Sequence, residues 1–446
     1  MTFRNFRKQL KKLSGNLVFQ NLILVSGITL LIKGLGFYKE TVVASNFGLS
    51  ELLDTFYIAI LVPTFISNVF LGAYRSVFIP NYIAELKIKG NKASFQASSF
   101  LITLLVSIFF VIIAYLFTDV YLENLFPNHT QAYYSLVKEQ FYVLLPCVFF
   151  WGLASLINGL LNVANEYRLS TIGGVITPLA MLVCLFWFKD ELGSQVLAVG
   201  TLAGSVFGFL YLLIVAINKK ILFLNFPDFG NKNIKTLFLQ LPAKISSGVL
   251  TAMNSVVDQF FAGQLVVGSI AAINYGIKIP MFMASIIMIA VSNVMLPHFA
   301  KTILENRKKA YRTLFTSLKV VIVGGSIVSI VGIIVSHDLV ALLFERNEFS
   351  SKDTEIVSYI QQIFLIYVPF NIAGMIMGNF LTSTNKNAVM AYLAFAGVVL
   401  NILLDYIFIQ YYGILGIAIC TTVVIVLKNT ALGYYIYLLK GKEPQD

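Results

Sequence analysis

Runs of about twenty apolar residues, broken only by short polar segments, recur along the whole length of this chain. A helix needs roughly 20 such residues to cross the hydrocarbon core of a bilayer, and only a helix or a closed barrel can satisfy its own backbone there. Runs of that length lie at 17–38, 52–74, 97–117, 136–160, 171–188, 195–217, 236–264, 270–298, 316–337, 356–382, 388–410 and 415–439. They predict an all-α polytopic membrane protein with twelve transmembrane helices. Composition agrees: 446 residues, 58% hydrophobic and only 12% charged, leave no room for a large soluble domain.

The net charge of +11 would suit nucleic acid if the basic residues clustered, but they sit in short segments between apolar runs. In the twelve-helix reading, 22 of the 32 Lys and Arg fall on the side that also holds both termini. That is the positive-inside pattern, so a nucleic-acid partner is not expected and both termini are expected in the cytoplasm. Arg4, Arg7, Lys8, Lys11 and Lys12 precede a first apolar run too long for a signal-peptide core, so it is expected to stay as helix one. Cys147, Cys184 and Cys420 fall inside spans and read as small apolar residues. His129, His298 and His337 are isolated near span ends, with no ligand spacing.

The two halves echo each other. Pro63-Thr-Phe65 precedes Val77-Phe-Ile-Pro80 at the distance by which Pro280-Met-Phe282 precedes Val294-Met-Leu-Pro297, and Leu125-Phe126 corresponds to Leu343-Phe344. The echoes share one offset to within a residue, so a six-helix unit repeats, and an even number of spans keeps both copies in the same orientation. The expected organisation is two pseudo-symmetric six-helix lobes, 1–217 and 236–446, joined by a basic cytoplasmic linker over 218–235.

Ionisable residues inside spans concentrate at the start of each half: Lys33, Lys39, Glu40 and Asp54 in the first, Lys244, Asp258 and Lys278 in the second. An ionised Lys at bilayer depth costs roughly 2.5–3.5 kcal/mol on insertion scales, so it is kept where it lines a wet cavity, finds a partner or snorkels to an interface. A charged cleft between the lobes, with more bases than free acids, suits an anionic solute, and Lys is an apt point charge for phosphate. Gly34, Gly36 and Pro280 would let the flanking helices bend. Asp258 and Lys278 reach similar depth and are placed to pair across their hairpin.

A second constellation lies further along. Asn401 and Asp405 share one helix face, Thr421 follows in the last span, and Asp258 offers a second carboxylate. Brought together, and joined by the carbonyl of Ile417, they would offer enough oxygen ligands for a hard cation. A proton on Asp405, or its pairing with Lys428, are the other readings. No phosphate-cradling glycine loop, zinc motif or cysteine cluster is present, so a transporter is expected rather than an enzyme, an integral-membrane transferase being the more distant reading.

Several stretches resemble the lipid II flippase family (MurJ, or MviN) of the multidrug/oligosaccharidyl-lipid/polysaccharide exporter superfamily: Leu31-Ile-Lys-Gly-Leu-Gly-Phe-Tyr-Lys-Glu40, Leu53-Asp-Thr-Phe-Tyr-Ile-Ala59, Val257-Asp-Gln-Phe-Phe-Ala-Gly263, Gly268-Ser-Ile-Ala-Ala-Ile-Asn-Tyr275 and Leu342-Leu-Phe-Glu-Arg-Asn-Glu-Phe349. The resemblance implies a monomeric flippase of the bacterial cytoplasmic membrane. Its lobes rock around a cavity that holds the pyrophosphate of an undecaprenyl-linked saccharide. Lys33, Lys39, Lys278 and Asp54 are the implied substrate-binding residues, the lysines standing where the family has Arg, so the charge is kept without the planar fork. Ser67 or Asn68 stands where the family has a further Arg, and Ile277 replaces an acid. The family also implies two more helices after the twelfth. No cofactor is obligatory. Asp258, Asn401, Asp405, Ile417 and Thr421 are similar to the family's sodium-binding pattern, which implies sodium coupling. Lipid II and the repeat unit of another polysaccharide, moved by the related Wzx-type flippases, both remain open as substrate, and a cation-coupled multidrug antiporter is the alternative within the superfamily.

Overall fold

The computed structural model describes residues 17–441 apart from 89, 128, 224, 385 and 387, with the backbone alone described over 17–23, 286–294, 296 and 297. The basic cluster from Arg4 to Lys12 lies outside the described residues. In chain order the helices are α1 (Leu17–Phe47), α2 (Glu51–Lys87), α3 (Lys92–Leu116), α4 (Thr118–Leu125), α5 (Gln131–Val163), α6 (Tyr167–Trp187), α7 (Lys189–Asn218), α8 (Lys232–Ala262), α9 (Ser269–Glu305), α10 (Arg307–Ile334), α11 (Ser336–Phe344), α12 (Ser351–Ser383), α13 (Ala388–Tyr412) and α14 (Ile414–Gly441). No strand occurs among the described residues.

Nine of the described helices, α2, α3, α5, α6, α7, α10, α12, α13 and α14, are long and apolar enough to cross a membrane. The other long helices, α1, α8 and α9, run for 31, 31 and 37 residues and carry Lys33, Lys39, Lys244, Asp258 and Lys278. Many large apolar side chains point outward, among them Val320, Val323, Ile327, Ile330 and Ile334 on α10. Lipid tails rather than water are the solvent that such a face matches.

Helix starts are set by local polar chemistry that repeats between the halves. Asn91 caps α3 by accepting from Ser94 N at 3.1 Å, and Asn306 caps α10 by accepting from Lys309 N at 2.8 Å. Each capped helix is followed by a short one, α4 or α11, and these end at the Leu125-Phe126 and Leu343-Phe344 echoes. Ser350 and Asp353 form a capping box at the start of α12. Gly34 and Gly36 leave α1 unbroken, and α9 runs on through Pro280; the irregular turn is elsewhere, a π turn at Ser67–Leu71 in α2, just after Pro63.

The described residues form two compact units, one within 17–42, 59–120 and 134–248, the other within 43–58, 121–133 and 249–441. The first is centred on Tyr74, Phe78, Phe95, Leu156, Leu160 and Leu237. Within it the segment after α7 is fastened down: Gln96 donates to Ile221 O and accepts from Phe223 N at 2.8 Å, and Ser98 Oγ accepts from Asp228 N at 2.8 Å. Glu85, 1% exposed, accepts from the side chains of Asn231 and Asn233 at 3.1 and 2.6 Å. Asn231 in turn accepts from Asn233 N and Ile234 N, so α8 already begins at Lys232. The second unit has its own core around Phe299, Tyr311, Leu314, Ile376, Phe380 and Ile436.

Candidate functional site

Four of the residues expected to bind a cation come together inside the second unit. Asp258 on α8, Asn401 and Asp405 on α13, and Thr421 on α14 are 8%, 1%, 0% and 9% exposed. Thr421 Oγ1 donates to Asp258 Oδ2 at 2.9 Å. Asn401 Nδ2 faces Asp258 Oδ1 at 3.3 Å and Asp405 Oδ2 at 3.1 Å, so one carboxamide bridges both acids. Ile417, a turn before Thr421 on α14, is fully buried.

Among the described residues Asn401 Oδ1 and Asp405 Oδ1 are buried without a hydrogen-bond partner. Burying an unpaired oxygen costs about 1–3 kcal/mol, more when it is charged, and two carboxylates in one dry site repel each other unless a cation or a proton lies between them. The orphaned oxygens and the all-oxygen donor set of two carboxylates, a carboxamide and a hydroxyl fit a hard cation. No cluster of three or more His, Cys, Asp or Glu able to hold a metal ion occurs among the described residues.

The expected substrate residues have different surroundings. Lys33 is half-buried on α1, with no ion-pair partner among the described residues, and Lys39 is ion-paired with Glu40. Lys278 on α9 lies over the rings of Tyr275 and Tyr57, at 5.2 and 5.7 Å from their centroids. Lys244 is exposed. Asp54 is 2% exposed, and its two oxygens accept from Gly268 N at 2.6 Å and Ala271 N at 2.7 Å. It thereby caps α9, whose own N-cap residue, Gly268, has no side chain to do so. Gly268 is required there twice over: its φ is +95°, and a Cβ would lie 2.6 Å from Leu49 O. Gly48, at φ +52°, similarly admits the Glu348 carbonyl, and Glu348 N donates to Ser45 O. The stretches 45–59, 268–275 and 342–349 thus form one interlocked hairpin face.

Sequence reasoning missed Cys420. Its Sγ donates to Asn401 O at 3.3 Å and faces Asn401 Nδ2 at 3.3 Å, so it belongs to the polar cluster and is no mere apolar filler. Its position beside Thr421 was the available signal. His129 is not idle either: its Nε2 meets Gly263 O at 2.8 Å, and its ring stacks on Tyr133.

The family model "Lipid II flippase MurJ" matches residues 43–442. The chain belongs to the MurJ family. One relative, the probable lipid II flippase MurJ of Buchnera aphidicola subsp. Baizongia pistaciae, is 25% identical over 413 residues, 89% of this chain and 79% of its own length. Among solved structures, a lipid II flippase MurJ in an inward-closed conformation superposes with a TM-score of 0.79 at 24% identity, covering 93% of this chain and 87% of that one. An inward-facing multidrug-resistance MATE transporter of the MOP superfamily gives 0.75 at 15% identity over 95% of this chain and 100% of its own, a likeness of fold. MurJ membership makes this chain a polytopic membrane transporter and no enzyme, and the interlocked hairpin stretches of the second unit fall inside the matched region.

Proposed function

We propose that this chain moves an undecaprenyl-pyrophosphate-linked saccharide, lipid II or a closely related repeat unit, across the bacterial cytoplasmic membrane by alternating access coupled to sodium. The observation that carries the reading is the MurJ match over residues 43–442, together with the buried cluster whose Asn401 Oδ1 and Asp405 Oδ1 find no partner among the described residues. Both termini are cytoplasmic in this reading, and a single copy suffices.

Lys33, Lys39 and Lys278 are the anion-binding residues. The ammonium of Lys278 sits over the faces of Tyr57 and Tyr275 and is the point charge assigned to an approaching phosphate. Asp54 acts on the same element from behind, fixing the first turn of α9 and so the place of Lys278. In the acidic cluster, Asp258, Asn401, Asp405, Thr421 and the Ile417 carbonyl would hold the ion. A bound sodium ion would supply the positive charge that lets both carboxylates stay ionised. The cluster draws on α8, α13 and α14, so closing it couples the packing of three helices to one ion.

The test is rescue of a strain depleted of its lipid II flippase. The native chain should restore growth, and Lys278→Glu should insert normally but fail to rescue, because an acid there repels pyrophosphate. Near-normal rescue by Lys278→Glu would remove the anion role of that residue, and no rescue by the native chain would move the substrate to another lipid-linked glycan.

A further inference from the structure

A second polar feature of the second unit is not accounted for by the acidic cluster. A cavity of about 260 Å³ opens between α12, α13 and α14, lined among others by Asn371, Met375, Met390, Leu393, Lys428 and Asn429. Lys428 sits near the middle of α14, seven residues beyond Thr421, which puts it two helical turns, about 10 Å, along the axis from the acidic cluster. Among the described residues its ammonium has neither an ion-pair nor a hydrogen-bond partner. Asn429 is 7% exposed, and its side chain makes no hydrogen bond among the described residues either. Its carboxamide is seated against Gly374 on α12, where an added Cβ would come within 2.0 Å of Oδ1, so the glycine keeps the space that the amide fills.

A Lys at mid-span costs roughly 2.5–3.5 kcal/mol on insertion scales, and a buried carboxamide without partners adds its own desolvation cost. Both costs fall when a group that accepts hydrogen bonds and carries negative charge enters. An ammonium offers three donors and no acceptor, and the two carboxamides add further N–H donors. The remaining walls, Met375, Met390 and Leu393 among them, are apolar. We propose that this cavity binds the oxyanion of an amphiphile, a phosphate or carboxylate bearing an apolar chain, with Lys428 as the charge partner and Asn429 as the amide donor. None of the lysines assigned to the transported substrate lines it.

The test uses the purified full chain in detergent at constant ionic strength. Thermal unfolding is followed against added phosphatidylglycerol, phosphatidylcholine or inorganic phosphate, and lipid retention is read by native mass spectrometry. Phosphatidylglycerol should raise the transition temperature where phosphatidylcholine does not, and Lys428→Met should weaken its retention by roughly tenfold or more, as expected for loss of a charge-assisted hydrogen bond. Lys428→Arg should keep most of the effect. A matching response to inorganic phosphate would identify the oxyanion alone as sufficient, whereas a response to the lipid only would show that the chain is read as well. Gly374→Ala, which leaves the ammonium in place but displaces the Asn429 amide, should also weaken retention and gives a second handle if Lys428→Met folds poorly. Equal responses to the two lipids, or equal retention in the native chain and in both variants, would overturn the proposal.

Discussion

Glu85 in the first unit and Asp405 in the second are equally hidden from solvent, at 1% and 0% exposure, yet they are treated in opposite ways. Each Glu85 oxygen accepts from an asparagine amide, and the pair of bonds ties the end of α2 to the start of α8. Asp405 receives one amide bond on one oxygen, while its other oxygen and that of Asn401 receive none from the described residues. Asp54 follows the Glu85 pattern, with a backbone amide on each oxygen. A buried acid whose lone pairs are met by the protein is a structural tie. One left short is a site that gains stability only when something else arrives.

The sharpest way to break this contrast is Asp258→Asn combined with Asp405→Asn. Transport should fall to background, and the dependence of thermal stability on sodium, measured at fixed pH and ionic strength, should vanish while the protein still folds. A sodium response that survives the double substitution would put the ion elsewhere, and a double variant that cannot fold would make Asp405 a tie like Glu85. Next in size, Asp54→Ala strands two buried backbone amides and should destabilise the chain by about 3 kcal/mol, read as a lower unfolding midpoint. If that variant instead lost transport at unchanged stability, Asp54 would move from the satisfied class to the functional one. Glu85→Ala, which leaves only side-chain amides that can turn toward solvent, should cost about 1–2 kcal/mol and leave any sodium response intact. The smallest effect belongs to Cys420→Ser, which keeps a donor to Asn401 O and should change stability by less than about 1 kcal/mol. A large loss of sodium affinity in that variant would bring the sulfur's position into the ion site.

The helices were legible because a bilayer imposes a length and a composition on each span. The repeat was legible because it recurs in prolines and short apolar echoes, and the paired caps at Asn91 and Asn306 give it a structural counterpart. Less legible was the stretch 218–235, whose basic residues read as a linker. Its asparagines and backbone amides are instead bound by Glu85, Gln96 and Ser98, partners more than a hundred positions away in sequence. The convergence of Asp258 with Asn401, Asp405 and Thr421 was readable only through family resemblance, since a spacing along one helix says nothing about which other helix packs against it.

By itself the sequence determined what each segment can tolerate as surroundings: apolar runs that must lie in lipid and basic segments that must not. Those are local transfer energies, fixed by residue type. Only the tertiary structure decided which buried polar atoms are met and which are left short. The same carboxylate chemistry becomes a helix cap at Asp54, a clasp at Glu85 and an unfilled oxygen at Asp405. A hydrogen bond extends only about 3 Å, and which groups come within that distance is set by how distant helices pack.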